Sequence, residues 1–544
     1  MATSPALGMP TEASEMIRGY AAQPSLLPGN RLGLHVSTTS PQFRVRFYRQ
    51  GANLEYIAQS EWLRGIQAAE PATAAERTRD WNWPEYWFPI PSEWPSGVYI
   101  ALLIEDVKGR LLDPPESAPA IDGRHGRVLF VVKNSAPGKH ASILYNLPLF
   151  TYQAYNYTGR SNFYMRGNPP GPDQTHRVSL RRPGAGVGGD IGGEYDGYCG
   201  SACDWYDASS PRNTFAHWDA PFIGWLLASG YQLDFCTDLD LHDGTSALSS
   251  YRLLLCAGHH EYWSTEMRDR VESFVHAGGN VALFSGNTCW WRVRVRLDGA
   301  QLECRKIDNG DLWWSGAHRV ENSVTGVSYR NGGAWWDGAE REALGFTVQH
   351  SSSWVYEGTG MRDGETFGRE QALVGFECDG AAVSEPPSTA HPLVPSFQDG
   401  TPATFQILGW AQLSKFGNGM TGWWQESNEA TNPGLRVATM GVFTDGGTVF
   451  NGATTDWVRV VVKAREPRTI RITHNVLKHL SGQEEVGPAE SASHAIADVF
   501  LRPVTIAGGL LAALRTPMTR RLFLSSGLMM LLACSKWGRR SRFP

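Results

Sequence analysis

Apolar and polar residues alternate with a period of two along the first quarter of the chain, a pattern typical of strands with one buried face. The clearest segments are residues 31–36 and 43–48. Their apolar positions are Leu32, Leu34, Val36, Phe43, Val45 and Phe47. Further segments of strand length lie at residues 87–90, 98–105 and 128–132. Because no helical pattern lies between them, we predict an all-β sandwich over residues 15–134, after a flexible leader at residues 1–14.

The pattern changes after a linker at residues 133–139, where short apolar runs begin to alternate with amphipathic runs of helix length. The strand patterns lie at residues 141–144, 233–236, 251–256, 281–284 and 447–450. The helix patterns lie at residues 222–229, 265–276 and near 470–480. Such alternation is typical of βαβ units, whose parallel sheet is covered on both faces. We therefore predict an α/β domain over residues 137–482, with a Trp- and Gly-rich stretch whose regular structure is left unassigned.

The amino-acid composition limits the classes of protein to which this chain can belong. The chain is 42% hydrophobic and 19% charged, which favours a globular protein, and its formal net charge of -5 offers no basic surface to a nucleic acid. The eight cysteines are scattered through apolar stretches, as expected of reduced thiols, and no amino-terminal signal peptide is visible. We therefore predict a cytoplasmic protein that does not bind nucleic acid. Cys199 and Cys203 lie close together but lack the second pair that would favour a structural zinc site.

The carboxy-terminal tail, residues 483–544, carries an apolar segment laid out like an export signal. Export signals act at an amino terminus, and the 12 apolar residues at 522–533 are fewer than the roughly 20 that a membrane helix needs. Two interpretations stay open: a helix that contacts a membrane surface, or the fused start of a neighbouring reading frame.

Titratable residues are concentrated after two of the predicted strands. Ligand sites of α/β sheets lie beyond the carboxyl ends of the strands, and His259, His260, Glu261 and Tyr262 stand at one such end. Glu261 is a candidate metal ligand or general base, and His259 a candidate acid or a group that orients the carboxylate. The alternative is structural, with Glu261 capping the following helix and the histidines making internal hydrogen bonds.

Two further segments offer candidate groups. Tyr152, Tyr155 and Tyr157 follow the first strand of the α/β domain, where they supply phenol oxygens to a strongly Lewis-acidic ion or pack as rim aromatics. Asn287 follows the strand at 281–284 and could hold a substrate carbonyl, or be a buried structural residue. Cys289 lies in the same turn and is a candidate nucleophile, although the spacing of a nucleophile elbow is absent.

Four Trp-Trp pairs, which begin at residues 290, 313, 335 and 423, favour either a hydrophobic core or a surface that stacks on sugars or cations. The second of these interpretations leaves open a non-catalytic or carbohydrate-binding protein.

Several ordered segments resemble the large-subunit core of the N,N-dimethylformamidase family. They are Thr151-Tyr-Gln-Ala-Tyr-Asn156, Thr237-Asp-Leu-Asp-Leu-His242, Gly258-His-His-Glu-Tyr-Trp-Ser264, Phe284-Ser-Gly-Asn-Thr288, Leu373-Val-Gly-Phe-Glu377 and Gly447-Thr-Val-Phe-Asn451. The resemblance covers about residues 137–480. It implies a glutamine-amidotransferase-like, Rossmann-like α/β domain preceded by the β-sandwich, and a mononuclear ferric ion, Fe(3+), held by two tyrosines and one glutamate. It also implies a small helical subunit and a homo-oligomer as partners.

When the family's site residues are matched to this sequence one by one, the resemblance implies that Tyr155 and Glu261 are metal ligands and that His259 lies beside them. It makes Asn287 the residue that positions the amide and Glu377 the general base. The second tyrosine does not transfer, because the matching position is Gly184. Tyr195 is our choice for it, with Tyr198 and Tyr206 as alternatives in the same insertion.

The function expected on these grounds is iron-dependent hydrolysis of a small amide. The ion would polarise the carbonyl or acidify a water, Glu377 would move the proton and Asn287 would hold the oxyanion. A Cys289-dependent amidase and a non-catalytic, carbohydrate-binding protein are the alternatives.

Overall fold

The computed structural model describes residues 17–106, 126–156, 158–160, 162–163, 176–184, 186–187, 214–306, 310–334, 343–413 and 435–485. All of them belong to one compact unit, residues 1–486. In this part of the chain no helix is long and apolar enough to cross a membrane.

Two sheets formed by the first 132 residues share one hydrophobic cluster. The smaller is antiparallel, in the order β1 (Arg18–Ala21), β3 (Arg31–Ser37), β7 (Glu85–Pro89). The larger has the order β2 (Ser25–Leu26), β9 (Gly126–Val132), β8 (Gly97–Glu105), β4 (Gln42–Gln50), β5 (Leu54–Gln59), with β6 (Leu63–Arg64) beside β4. The alternating apolar residues of β3 and β4 are buried in the shared cluster, which confirms the predicted strands.

A nine-stranded sheet dominates the rest of the molecule. One half is parallel, in the order β12 (Leu233–Thr237), β10 (Ile143–Leu147), β13 (Leu253–His259), β15 (Asn280–Gly286), β24 (Gly447–Asn451). The other half continues antiparallel through β23 (Arg436–Asp445), β22 (Gln406–Leu413), β19 (Phe346–Val348) and β20 (Thr366–Phe367).

The predicted parallel sheet is therefore confirmed in one half only, and the protein is a mixed α/β structure with several sheets. The chain passes from β23 to β24 through Gly446 alone, in a left-handed conformation with a φ of 84°. A connection this short can join only antiparallel strands, because a parallel crossover needs a dozen or more residues. The unassigned Trp- and Gly-rich stretch supplies β19, β20 and β22, which extend the antiparallel half.

Eight α-helices lie in the described residues, and all of them except α1 contribute buried residues. They are α1 (Ala74–Arg77), α2 (Leu149–Tyr155), α3 (Asp219–Ala228), α4 (Asp238–Asp243), α5 (Thr265–His276), α6 (Asn322–Thr325), α7 (Trp457–Arg459) and α8 (Pro467–Ser481). Helix α5 has the predicted bounds, since Ser264 caps its first turn through the N–H of Met267 and its apolar residues are spaced for one face. The helices predicted at 222–229 and near 470–480 correspond to α3 and α8.

Two small sheets complete the described architecture. One has the order β11 (Arg177–Ser179), β17 (Gln301–Glu303), β16 (Trp291–Arg296), β14 (Tyr262–Ser264), and the other pairs β18 (Ser328–Ala334) with β21 (Glu377–Gly380). Strand β14 follows β13 after two residues, and β21 is bridged to the loop after β24 through Cys378 and Thr454. Both small sheets therefore adjoin the carboxyl edge of the parallel strands.

Candidate active site

Four chain segments meet at the carboxyl edge of the parallel half-sheet. His259 is the last residue of β13, and its partner in register is Gly286, the last residue of β15. Tyr155 is the last residue of α2, and Glu377 is the first residue of β21. The tyrosine was expected at the end of a strand. It lies instead on a helix, because the chain turns at Pro148 directly after β10.

The side chains at this edge form a continuous series of polar contacts. The Tyr155 hydroxyl donates to Glu261 Oε2 at 2.7 Å. The Nε2 atom of His259 lies 3.4 Å from the same Glu261 oxygen and 2.8 Å from Glu377 Oε2. His259, Glu261 and Glu377 are 1%, 2% and 5% exposed. Two carboxylates, an imidazole and a phenol that sequence analysis selected from distant positions are thus in contact inside the protein.

His259 contacts the carboxylates of both Glu261 and Glu377. Burial opposes its protonation, but the charge of Glu377, a hydrogen bond to Glu377 and the charge of Glu261 outweigh burial and raise the pKa of His259 above its usual value. No carboxylate among the described residues raises the pKa of its neighbour His260, and burial lowers that pKa to about 3. The two acids therefore favour protonation of His259, whereas burial keeps His260 neutral.

Lys306 is a site residue that sequence analysis missed. Its Nζ lies 3.8 Å from Glu261 Oε1 and donates to the Tyr262 hydroxyl at 2.9 Å. The ammonium group also stands over the rings of Trp291, at 4.9 Å, and Tyr262, at 5.5 Å. Lys306 thus lies near one oxygen of the Glu261 carboxylate and His259 near the other. No motif marks Lys306 in the sequence.

The turn after β15 has a constrained backbone. Asn287 and Cys289 both have positive φ angles, of 50° and 56°. The backbone N–H groups of Asn287 and Thr288 donate to the buried Asp379 carboxylate, at 2.8 and 3.2 Å. Burial raises the pKa of Asp379 to about 7, and the charge of Glu377 adds to this although the two N–H bonds oppose it. Asp379, a second residue that sequence analysis missed, therefore holds the turn that carries Asn287.

Helix α2 is fixed at both ends, which positions Tyr155. At its start, the backbone N–H of Phe150 donates to Asp238 at 2.9 Å. At its end, the buried Arg182 donates to the carbonyl oxygens of Gln153 and Asn156, both at 3.0 Å. A carboxyl group and a guanidinium group thus lie at the ends where the helix dipole favours a negative and a positive charge, although burial raises the pKa of Asp238 to about 8.

The structural interpretation of Glu261 as a helix cap is wrong, because Ser264 caps α5. The backbone N–H of Glu261 donates instead to the Thr151 hydroxyl of α2, at 3.1 Å. The loop that carries the carboxylate is thus tied to the helix that carries Tyr155.

Several candidate residues do not join this cluster or lie outside the described residues. Tyr152 donates to the buried Asp219, and burial raises its pKa far above the usual value. Cys289 is fully buried, and burial raises the pKa of its thiol, which disfavours the thiolate that a nucleophile requires. The residues outside the described part of the chain are Tyr157, Tyr195, Tyr198, Tyr206, Cys199 and Cys203.

The described tryptophan pairs favour the core interpretation. Trp290, Trp291 and Trp313 are buried, while Trp314 is half-buried. The pairs that begin at residues 335 and 423 lie outside the described residues.

The donor atoms of the cluster fit a hard cation. Tyr155 and Glu261 bring two oxygen atoms within 2.7 Å of each other, and oxygen donors are the ligands that hard cations prefer. Over the described ranges, no group of three His, Cys, Asp or Glu side chains has the arrangement of a metal site. A complete ligand set would therefore need tyrosine, or a residue from another part of the chain.

These features define the class of the protein: an α/β protein with a buried centre of carboxylates, imidazole and phenol at the carboxyl edge of its sheet, a setting suited to acid–base or metal-assisted chemistry. Residues 41–465 match the family model described as N,N-dimethylformamidase beta subunit-like, C-terminal. The chain belongs to this family.

A curated relative is the N,N-dimethylformamidase beta subunit of Alcaligenes sp., which is 28% identical over 115 residues. The aligned segment is 20% of this chain and 15% of that protein. The chain thus matches only a small share of this relative's length.

Proposed function

We propose that this protein hydrolyses the C–N bond of small linear amides at the buried centre of Tyr155, His259, Glu261, Asn287 and Glu377. Family membership supports an amide hydrolase at a coarse level. The observation that carries the finer proposal is the series of contacts from Tyr155 through Glu261 and His259 to Glu377. Such a series provides a base, a proton carrier and a pair of oxygen ligands within one buried volume.

In the proposed reaction, water adds to the amide carbonyl and the C–N bond breaks, giving a carboxylic acid and an amine. Glu377 takes the proton from the attacking water. His259, in contact with Glu377 at 2.8 Å, orients this carboxylate and helps return the proton to the leaving nitrogen. Asn287 donates to the oxygen that becomes negative.

Tyr155 and Glu261 would hold a ferric ion, with Tyr195 as the proposed third ligand. When bound, such an ion supplies Lewis acidity to the amide carbonyl. Lys306 lies near Glu261, and so does His259, whose protonation the neighbouring acids favour; both would limit the net charge of the ligand set. Oxygen ligation and the burial of Glu261 support this assignment.

The proposal extends to the fold and to the partners of the protein. We propose that residues 137–482 form a glutamine-amidotransferase-like domain and residues 15–134 a separate β-sandwich domain. The parallel half-sheet supports the first, and the hydrophobic cluster of the first two sheets supports the second. We also propose a small helical subunit, a homo-oligomer and a cytoplasmic location. The relative from Alcaligenes sp. is named as a beta subunit, which supports a subunit partner.

The test is release of amine from a panel of small amides by the wild-type protein and by the Glu261→Gln and Tyr155→Phe variants. We expect turnover by the wild type and a large loss in both variants. Tyr20→Phe is a matched control, because its hydroxyl also donates to a carboxylate, Asp80, but belongs to the first sheet. Full activity of Glu261→Gln would refute the proposed site.

A further inference from the structure

Thr455, in the loop after β24, is buried with a hydroxyl group that the fold does not use. It is 0% exposed, and its Oγ1 has no hydrogen-bond partner among the described residues. Its two neighbours behave differently. The Thr454 hydroxyl donates to the carbonyl oxygen of Leu373 at 2.8 Å. The Asp456 carboxylate accepts the N–H of Phe376 at 2.7 Å. Because a buried hydroxyl without a partner is unfavourable, the exception at Thr455 indicates a ligand.

The backbone places this hydroxyl beside the proposed general base. Cys378 and Thr454 form an antiparallel bridge, and the N–H of Thr455 donates to the carbonyl oxygen of Glu377 at 3.1 Å. Thr455 and Glu377 are therefore cross-strand neighbours, whose side chains project to the same face with Cβ atoms about 5 Å apart. On this face the Glu377 carboxylate contacts Nε2 of His259 at 2.8 Å. The Thr455 hydroxyl thus lies on the face that carries the polar cluster.

Strand β15 ends against the same pair of residues. A Cβ atom on Gly286 would meet the carbonyl oxygen of Glu377 at 2.5 Å and the backbone nitrogen of Thr455 at 2.7 Å. Gly286 is itself in register with His259. Close backbone contacts therefore hold together the three segments that carry His259, Glu377 and Thr455, at the carboxyl edge of the parallel half-sheet.

A hydroxyl beside a carboxylate is suited to holding a water molecule. Water has two O–H donors and two lone pairs, and a carboxylate base accepts the O–H whose proton it removes. A threonine hydroxyl can accept the second O–H or donate to one lone pair. Two such contacts fix the direction of the remaining lone pair, and a nucleophile held in one orientation reacts faster than one that rotates freely.

We propose that Thr455 holds the attacking water of amide hydrolysis, together with the Glu377 carboxylate. The inference rests on the proposed function and adds a residue to its site. The water loses one proton to Glu377 while its oxygen forms a bond to the amide carbon, and this proton passes to the nitrogen as the C–N bond breaks. The Thr455 hydroxyl gains and loses no proton in the net reaction. It keeps the water oxygen directed at the amide carbon.

The test compares kcat and KM for amide hydrolysis in the wild type, Thr455→Val and Thr455→Ser. Valine has the shape of threonine without its hydroxyl. We expect kcat to fall by about 10–100-fold at an unchanged KM, because the hydroxyl contacts the water and not the amide. Serine restores the hydroxyl and should restore most of kcat. Thr448→Val, at the other end of β24, is the matched control and should keep the wild-type kcat.

Two kinetic results overturn the inference. One is a wild-type kcat in Thr455→Val. The other is a raised KM at an unchanged kcat, which would place the hydroxyl against the substrate instead of the water. If the wild type hydrolyses no amide of the panel, the proposed function fails and the inference fails with it. If amides are hydrolysed and Thr455→Val keeps its kcat, only the inference fails.

Thermal unfolding separates this role from a structural one. Thr455→Val removes a hydroxyl that the fold does not use, so its Tm should equal or exceed that of the wild type. Thr454→Val removes two hydrogen bonds of the adjacent hydroxyl and should lower Tm. A Tm of Thr455→Val as low as that of Thr454→Val would show that the fold uses this hydroxyl, and would overturn the inference.

Discussion

Two buried carboxylate clusters in this molecule differ in how their charge is compensated. Asp311 accepts hydrogen bonds from the guanidinium groups of Arg292 and Arg294, each with a contact of 2.6 Å, and from the backbone N–H of Arg305 at 2.7 Å. Burial opposes the ionisation of Asp311, but these bonds outweigh it and hold the pKa of Asp311 below its usual value. Every polar atom of this carboxylate is used by the protein.

The cluster at the sheet edge is built differently, around an imidazole and the nearby ammonium group of Lys306. His259 serves both Glu261 and Glu377, and burial raises the pKa of the nearby Asp379. The side-chain oxygen of Asn287 has no hydrogen-bond partner within the described part of the chain, and two non-glycine residues of the adjoining turn have positive φ. We infer that the Asp311 cluster maintains the fold, whereas the sheet-edge cluster keeps polar atoms available for a ligand.

The largest expected effect is the loss of activity in Glu377→Gln. Removal of a general base lowers the rate by about 10²–10⁴-fold, and kcat/KM for amide hydrolysis should fall by this factor while the melting temperature changes little. Glu303→Gln, which alters a carboxylate paired with Arg177, is the control and should retain activity. If Glu377→Gln unfolded, Glu377 would be a residue that maintains the fold, as Asp311 is.

Asp311→Asn should instead cause a large loss of stability. It leaves two arginines without their anion, and breaking a buried ion pair costs about 3–5 kcal/mol. We expect about 3 kcal/mol, because both arginines are partly exposed, as measured by urea unfolding. Asp269→Asn, which alters an exposed pair with Arg319, should cost under about 1 kcal/mol. A change at Asp311 as small as the control would contradict its structural role.

The two clusters should depend on pH with opposite signs. Asp379 binds its proton more tightly in the folded state, with a pKa of about 7 against about 3.9 unfolded, so its contribution to stability declines between these values as pH rises. Asp311 has a lowered pKa, so its contribution is present above about pH 3.9 and is lost as pH falls further. Urea unfolding from pH 4 to 7.5 should show a shallower decline in Asp379→Asn than in wild type. Parallel curves would contradict this.

The smallest expected effect is that of Cys289→Ala. The thiol is buried and its pKa is raised, so it does not supply a nucleophile. We expect amide hydrolysis within about twofold of wild type, and no inactivation by iodoacetamide that depends on this residue. Abolished turnover would instead favour a thiol mechanism.

The elements predicted from the sequence are those whose buried positions recur with a regular spacing along the chain. Helix α5 has the bounds predicted from apolar spacing and from the capping residue Ser264, and strands β3 and β4 extend only slightly beyond the predicted segments. The antiparallel half-sheet was not predicted, because β19, β22 and β23 lie in a stretch without clear alternation. Register and pairing there depend on contacts between distant segments, which local pattern does not specify.

The candidate site was predicted in part. Tyr155, His259, Glu261, Asn287 and Glu377 are brought to one edge, while their chemical roles remain predictions. Lys306 and Asp379 were missed because each reaches the cluster through tertiary packing. A signal for Asp379 did exist: residues two apart on a strand face the same side, so Glu377 predicts a companion at position 379.

The most direct test of the central claim is the metal content and visible absorption of purified protein. We expect bound iron and a phenolate-to-iron charge-transfer band that is weakened or lost in Tyr155→Phe and Glu261→Gln, and unchanged in Tyr20→Phe. Protein that hydrolyses amides while free of metal and colourless, or a band that survives both substitutions, would contradict the claim that Tyr155 and Glu261 share one ion.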